Sequence, residues 1–122
     1  MHIISYLKQA RKRLNLTLED MGYLLDMDYS NLAKYEQGKK TPPTRVIIAY
    51  HIITKTPLHR LFKYTFLGVM DTISSKATEL ITDLEEEHKS KPILKRLEAL
   101  HEVLNNISCL KDISEDDFYD DH

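Results

Sequence analysis

The chain has 122 residues, 42% of them apolar and 30% charged, with a formal net charge of -2. That is the size and balance of one globular domain or of a small domain with a helical appendage, and it excludes a disordered or fibrous class. The longest apolar stretch, RVIIAYHII, falls far short of the roughly 18 to 20 residues of a spanning helix. MHIISYLKQARKRL places its basic residues after its apolar ones, the reverse of a secretory leader, so a cytoplasmic protein with no membrane association is expected. One cysteine, Cys109, and three scattered glycines give no reason to expect a disulfide, a thiolate zinc site or a phosphate-cradling loop.

Charge is divided unevenly. Residues 1–66 carry 11 Lys+Arg against 5 Asp+Glu, whereas residues 67–122 carry 6 against 14. A basic front half points to a polyanion partner. The closing DISEDDFYDDH reads as a solvated, disordered acidic end.

In chain order, Ile3, Ile4, Leu7, Ala10 and Leu14 recur at helical spacing, and Asn15 suits the left-handed stop. Thr17 with Asp20 forms a capping-box variant at the start of a second helix, apolar through Leu18, Met21, Leu24 and Leu25. Asp28 is the next N-cap, for a helix from about Tyr29 to Gln37 that ends at Gly38. Leu32 and Tyr35 face its core side, leaving Tyr29, Ser30, Ala33, Lys34 and Gln37 outside. Two short helices joined by a three-residue turn make a helix-turn-helix unit, with Gly22 giving the second helix room to approach the first. Pro43 opens a fourth helix, Thr44 to Thr54, buried through Val46, Ile47, Tyr50 and Ile53. Pro57 opens a fifth, with Leu58, Leu61, Phe62 and Phe66 on one face.

Beyond Phe66, the series Met70, Ile73, Ala77, Leu80 and Leu84 is a heptad seam, as is the series Ile93, Leu97, Leu100, Leu104 and Ile107. Six polar residues between them make an antiparallel hairpin that leaves Ile81, Leu94 and Val103 in need of a further surface. The six histidines form neither an HExxH pattern nor a Cys/His cluster, and Glu98 and Glu102 lie on a charged helix face. No catalytic residue, metal or cofactor is expected, and the chain reads as no enzyme.

The residues Leu7, Arg11, Leu16-Thr17, Leu24-Leu25, Ser30, Leu32, Tyr35-Glu36, Gly38, Pro42 and Leu58 to Phe62 give the first half its likeness to a known family. It resembles the phage-repressor and Cro-like (XRE) helix-turn-helix DNA-binding family. The expected fold is therefore all-α: a five-helix repressor-like domain over 1–66, a helical hairpin over 67–111 and an acidic tail over 112–122. The resemblance implies double-stranded DNA as partner, with Tyr29, Ser30 and Lys34 at base edges and Asn31, Gln37, Lys39 and Lys40 along the phosphate backbone. It also implies an Arg11–Glu36 ion pair supporting the recognition helix. Because such proteins commonly occupy half-sites about one helical turn apart, the hairpin is expected to form a homodimer through Met70, Ile73, Leu80, Leu84, Leu97, Leu100 and Leu104. The function implied is a transcriptional regulator, a repressor, on a near-palindromic operator. The rival is an antitoxin or adaptor whose hairpin and acidic tail dock another protein. Leu18 stands where many relatives have a phosphate-contacting Gln, Asp26 stands at a turn position usually held by Gly, and Asp28 adds a second acid. All three favour the rival.

Overall fold

The computed structural model describes residues 4–119, with side chains through residue 112. Seven helices and no strand occur among the described residues: α1 Leu7–Arg13, α2 Leu18–Leu25, α3 Tyr29–Glu36, α4 Thr44–Thr54, α5 Leu58–Leu61, α6 Lys63–Glu85 and α7 Lys91–Tyr119. They fall into two compact units, Met1–Phe66 and Leu67–His122.

The first unit is built on Leu7, Met21, Leu32, Val46, Tyr50 and Leu61, all fully buried and contributed by all five of its short helices. None of these helices is long enough to be stable alone, so the shared core holds them. α1 begins later than its apolar spacing predicts. Ile3 lies outside the described residues, and Ile4 is 59% exposed ahead of the helix. The reason is a long-range tie: the Tyr6 backbone N–H donates to the Leu61 carbonyl at 2.7 Å, committing the approach to α1 to a contact with α5. Leu14, 42% exposed, also falls outside the helix, and Asn15 takes the left-handed conformation at φ 61°.

The fifth helix is shorter than its pattern predicts. Phe62, at φ -128° and ψ 51°, breaks it after Leu61, so Phe66 belongs to α6. Adjacent residues on a regular helix point about 100° apart. The break lets both Leu61 and Phe62 reach the core, where they are 0% and 8% exposed.

α4 closes without glycine. Lys55 adopts φ 53°, Thr54 Oγ1 donates to the Tyr50 carbonyl at 2.6 Å, and Arg13 donates from α1 to the Thr54 carbonyl and to Thr56 Oγ1. His51 Nδ1 donates to the Thr56 carbonyl at 2.8 Å. These side chains satisfy the carbonyls that a helix end leaves open.

In the second unit, α6 and α7 run antiparallel, as the 3.6 Å approach of Lys111 Nζ to Asp71 Oδ1 requires. Lys89 Nζ donates to the Glu85 carbonyl at 2.9 Å and so caps α6, while Ser90 opens α7. The seam on α6 is rotated from the one read in the sequence. Met70, Ala77, Ile81 and Leu84 are buried with Ser74 half-buried between them, whereas Ile73 and Leu80 remain 42% and 38% exposed. The 3-4-3-4 spacing becomes 4-3-4-3, with Met70, Ala77 and Leu84 kept and the two positions between them moved one residue on, because the series through Ile81 is as periodic as the series through Leu80. α7 continues as helix to Tyr119, past the boundary at residue 111 that the acidic run marks. Pro92 is its last proline and Gly68 the last glycine of the chain, so no breaker interrupts it. The remaining tail residues, 120–122, lie outside the described residues.

Candidate nucleic-acid interface

α2 starts on a complete capping box: Thr17 Oγ1 accepts from the Asp20 amide and Asp20 Oδ2 from the Thr17 amide, both at 3.0 Å. It ends at Asp26, left-handed at φ 54°, with the Met27 amide reaching back to the Gly22 carbonyl at 2.9 Å. This tight closure makes Gly22 necessary. A Cβ there would sit 2.8 Å from the Met27 carbonyl oxygen and 3.3 Å from the Tyr29 Cβ, inside contact distance. The hydrogen of glycine lets α3 begin against α2.

α3 is fixed differently at its two ends. At the N-terminus, Asp28 Oδ1 accepts from both the Ser30 amide and the Ser30 hydroxyl at 2.9 Å. The Ser30 amide bond holds the Asp28 carboxyl below its ordinary range, with the Ser30 hydroxyl and Lys34 acting in the same direction. At the C-terminus, Gly38 at φ 76° closes the helix, with Lys39 N–H donating to the Lys34 carbonyl at 2.9 Å and Gly38 N–H to the Tyr35 carbonyl at 3.2 Å, a Schellman pattern.

Glu36 joins this C-terminal end to the core. Arg11 Nε and Nη2 donate to its two oxygens at 2.8 and 2.9 Å, and the Tyr50 hydroxyl donates to Oε2 at 2.7 Å. Arg11 Nη1 donates to the Leu16 carbonyl at 2.8 Å. The two charged side chains are only 8% and 3% exposed. The Glu36 hydrogen bond raises the Arg11 pKa, and burial raises that of Tyr50, reinforced by Glu36. The guanidinium is thus charged at neutral pH and the phenol neutral. Tyr50 is legible in the sequence only as an apolar-spaced core residue, and its bond to Glu36 has no sequence signal.

The outward side of α3 presents Tyr29, 49% exposed, together with exposed Ser30 and Lys34, one turn apart. Asn31 is half-buried, and Gln37, Lys39 and Lys40 are exposed where the chain leaves the helix. Leu32, fully buried, anchors the opposite side. Arg45, exposed in the first turn of α4 behind a Pro43 that makes no side-chain cap, adds a cation that the sequence reading did not single out. Its signal was the basic link GKKTPPTR. Of the hairpin residues named for dimerisation, Met70 and Leu84 are 4% and 2% exposed and packed within the chain, and Leu97, Leu100 and Leu104 are half-buried.

No group of three or more His, Cys, Asp or Glu side chains able to hold a metal occurs among the described residues. No helix there is long and apolar enough to cross a membrane. Residues 5–51, from the approach to α1 into α4, match the family model for the helix-turn-helix domain. No curated protein and no solved structure matches the chain. The segment that matches contains the Gly22 junction, the capped α3 and both ends of the Arg11–Glu36 pair, and it points to a DNA-binding regulator.

Proposed function

We propose that this protein is a sequence-specific transcriptional regulator of the phage-repressor and Cro-like kind, a cytoplasmic repressor that binds a near-palindromic operator as a homodimer. The observation that carries this reading is the rigid presentation of α3. Gly22 seats one end against α2, Glu36 ties the other to α1 and α4, and the side facing away from Leu32 offers Tyr29, Ser30 and Lys34. A helix so held suits the major groove, where Lys34 donates to guanine O6 or N7. Asn31, Gln37, Lys39 and Lys40 take the phosphates on either side, positioning the helix without reading sequence.

Ile73 and Leu80 on α6 and Leu94 on α7, 42%, 38% and 51% exposed, support the homodimer. They are apolar residues left over after the hairpin has packed its own seam, and a second copy covers them. The same residues, with Asp26 and Asp28 beside the start of α3, favour the second reading, an antitoxin or adaptor that docks another protein.

The test is selection of bound duplexes from a random pool by the full chain, followed by affinity at two salt concentrations. Enrichment of a two-fold symmetric motif with a steep salt dependence is expected. Failure to enrich any motif overturns the reading in favour of the adaptor.

A further inference from the structure

Asp28 and Ser30 have an electrostatic consequence for whatever α3 reads. The Ser30 hydroxyl proton is committed to Asp28 Oδ1 at 2.9 Å, so Ser30 Oγ offers only lone pairs outward. Asp28 Oδ1 already accepts twice from Ser30, and Oδ2 has no hydrogen-bond donor among the described residues. The carboxyl is exposed and held ionised by those bonds. The first turn of α3 therefore combines a carboxylate with a hydroxyl that can only accept.

Acceptors need donors, and the major-groove edge of DNA supplies only two, the amino groups of cytosine and adenine. Adenine places its N7 lone pair beside its amino group, and guanine and thymine present acceptors there, so an acceptor-only pair meets repulsion at all three. Cytosine presents its N4 amino group with no acceptor on its own major-groove edge, the neighbouring one being O6 of the paired guanine. Resting on the DNA-reading assignment of α3, we propose that Asp28 and Ser30 form a specificity element that selects cytosine through its N4 amino hydrogen. Asp28 then discriminates among sequences, and it weakens only the binding of duplexes that lack the matching base.

The experiment repeats the random-pool selection with the full-length wild type, Asp28→Asn and Ser30→Ala. Asn caps helices as well as Asp does, so Asp28→Asn keeps the start of α3, which circular dichroism checks. The wild type should enrich cytosine at one position of each half-site. Asp28→Asn should lose that preference or exchange it for adenine, whose N6 and N7 match an amide, with the other positions unchanged. Replacing the selected cytosine by N4-methylcytosine, which turns a methyl group into the groove in place of the amino hydrogen, should weaken the wild type about ten- to hundredfold and Asp28→Asn by less than about twofold. Ser30→Ala should narrow the preference for cytosine without reversing it. If a motif is enriched but Asp28→Asn leaves every position unchanged, or N4-methylation has no effect on the wild type, the cytosine assignment is wrong and the DNA-reading assignment stands. If no motif is enriched, both fall.

Discussion

Replacing Glu36 by Ala tests the joint between α3 and the rest of the first unit. The substitution removes the acceptor of three hydrogen bonds and strands the Arg11 guanidinium, 8% exposed, together with the Tyr50 hydroxyl. Breaking a buried pair by deleting one partner costs about 3–5 kcal/mol, against about 0–1 for an exposed pair. A small domain has only about 5–15 kcal/mol in total, so the first unit should unfold at a much lower temperature, by more than about 12 °C. Near-ultraviolet dichroism isolates this transition, since six of the seven tyrosines lie before residue 67. The double variant Arg11→Met/Glu36→Leu removes both charges and should recover a large part of the loss. A single-variant cost below about 1 kcal/mol, or a double variant no better than the sum of the singles, would refute the buried-pair account.

Lys34→Ala should cost about 1–3 kcal/mol on the selected operator and relax one base position, whereas Lys39→Ala should weaken every duplex alike and flatten the salt dependence; equal losses for both on specific and random DNA would reject the division of roles. Asp26→Gly should stabilise the first unit by roughly 1 kcal/mol in urea denaturation, because only glycine occupies φ 54° without steric cost. The Asp28 carboxyl, lowered by Ser30, contributes stability that is present above the unfolded value of about 3.9 and is lost as pH falls through its lower folded value. The stability advantage of the wild type over Asp28→Asn should thus shrink on acidification below about pH 4, measured by denaturation midpoints. Ile73→Lys/Leu80→Lys should yield a folded monomer in sedimentation, and an unchanged dimer would move the interface elsewhere.

Local signals proved most legible. Thr17 and Asp20 announce the capping box, Asp28 the next cap, Asn15 and Gly38 the left-handed stops, and Gly22 the close approach of α3. Each depends on a few neighbouring residues, whose chemistry acts over one turn. Features set by distant partners were not legible. Tyr6 delays α1 through Leu61, Phe62 splits a periodic helix to bury a second large side chain, and Tyr50 joins the Arg11–Glu36 pair from α4. On α6 the choice between the Leu80 and Ile81 series was undecided by spacing, because only the partner helix determines which face is covered. For α3, the exposed positions follow from the buried Leu32, but the commitment of the Ser30 proton to Asp28 depends on the side-chain geometry of the folded turn.

The closure of α4 bears on how the first unit forms. Lys55 holds a conformation unfavourable for a side chain, and the carbonyl before it is satisfied by Arg13, a contact across 41 residues. Beside the local bond from the Thr56 hydroxyl to the same carbonyl, the last turn of α4 thus draws on a contact from α1. In a chain growing from its N-terminus, α1 is made first and waits for that turn, so the loop-closure entropy of the whole segment is lost in one step. The corner at Arg13, Thr54 and Thr56 thus acts as a clasp on cooperativity: amide exchange in α1 and in the last turn of α4 should proceed through one shared opening.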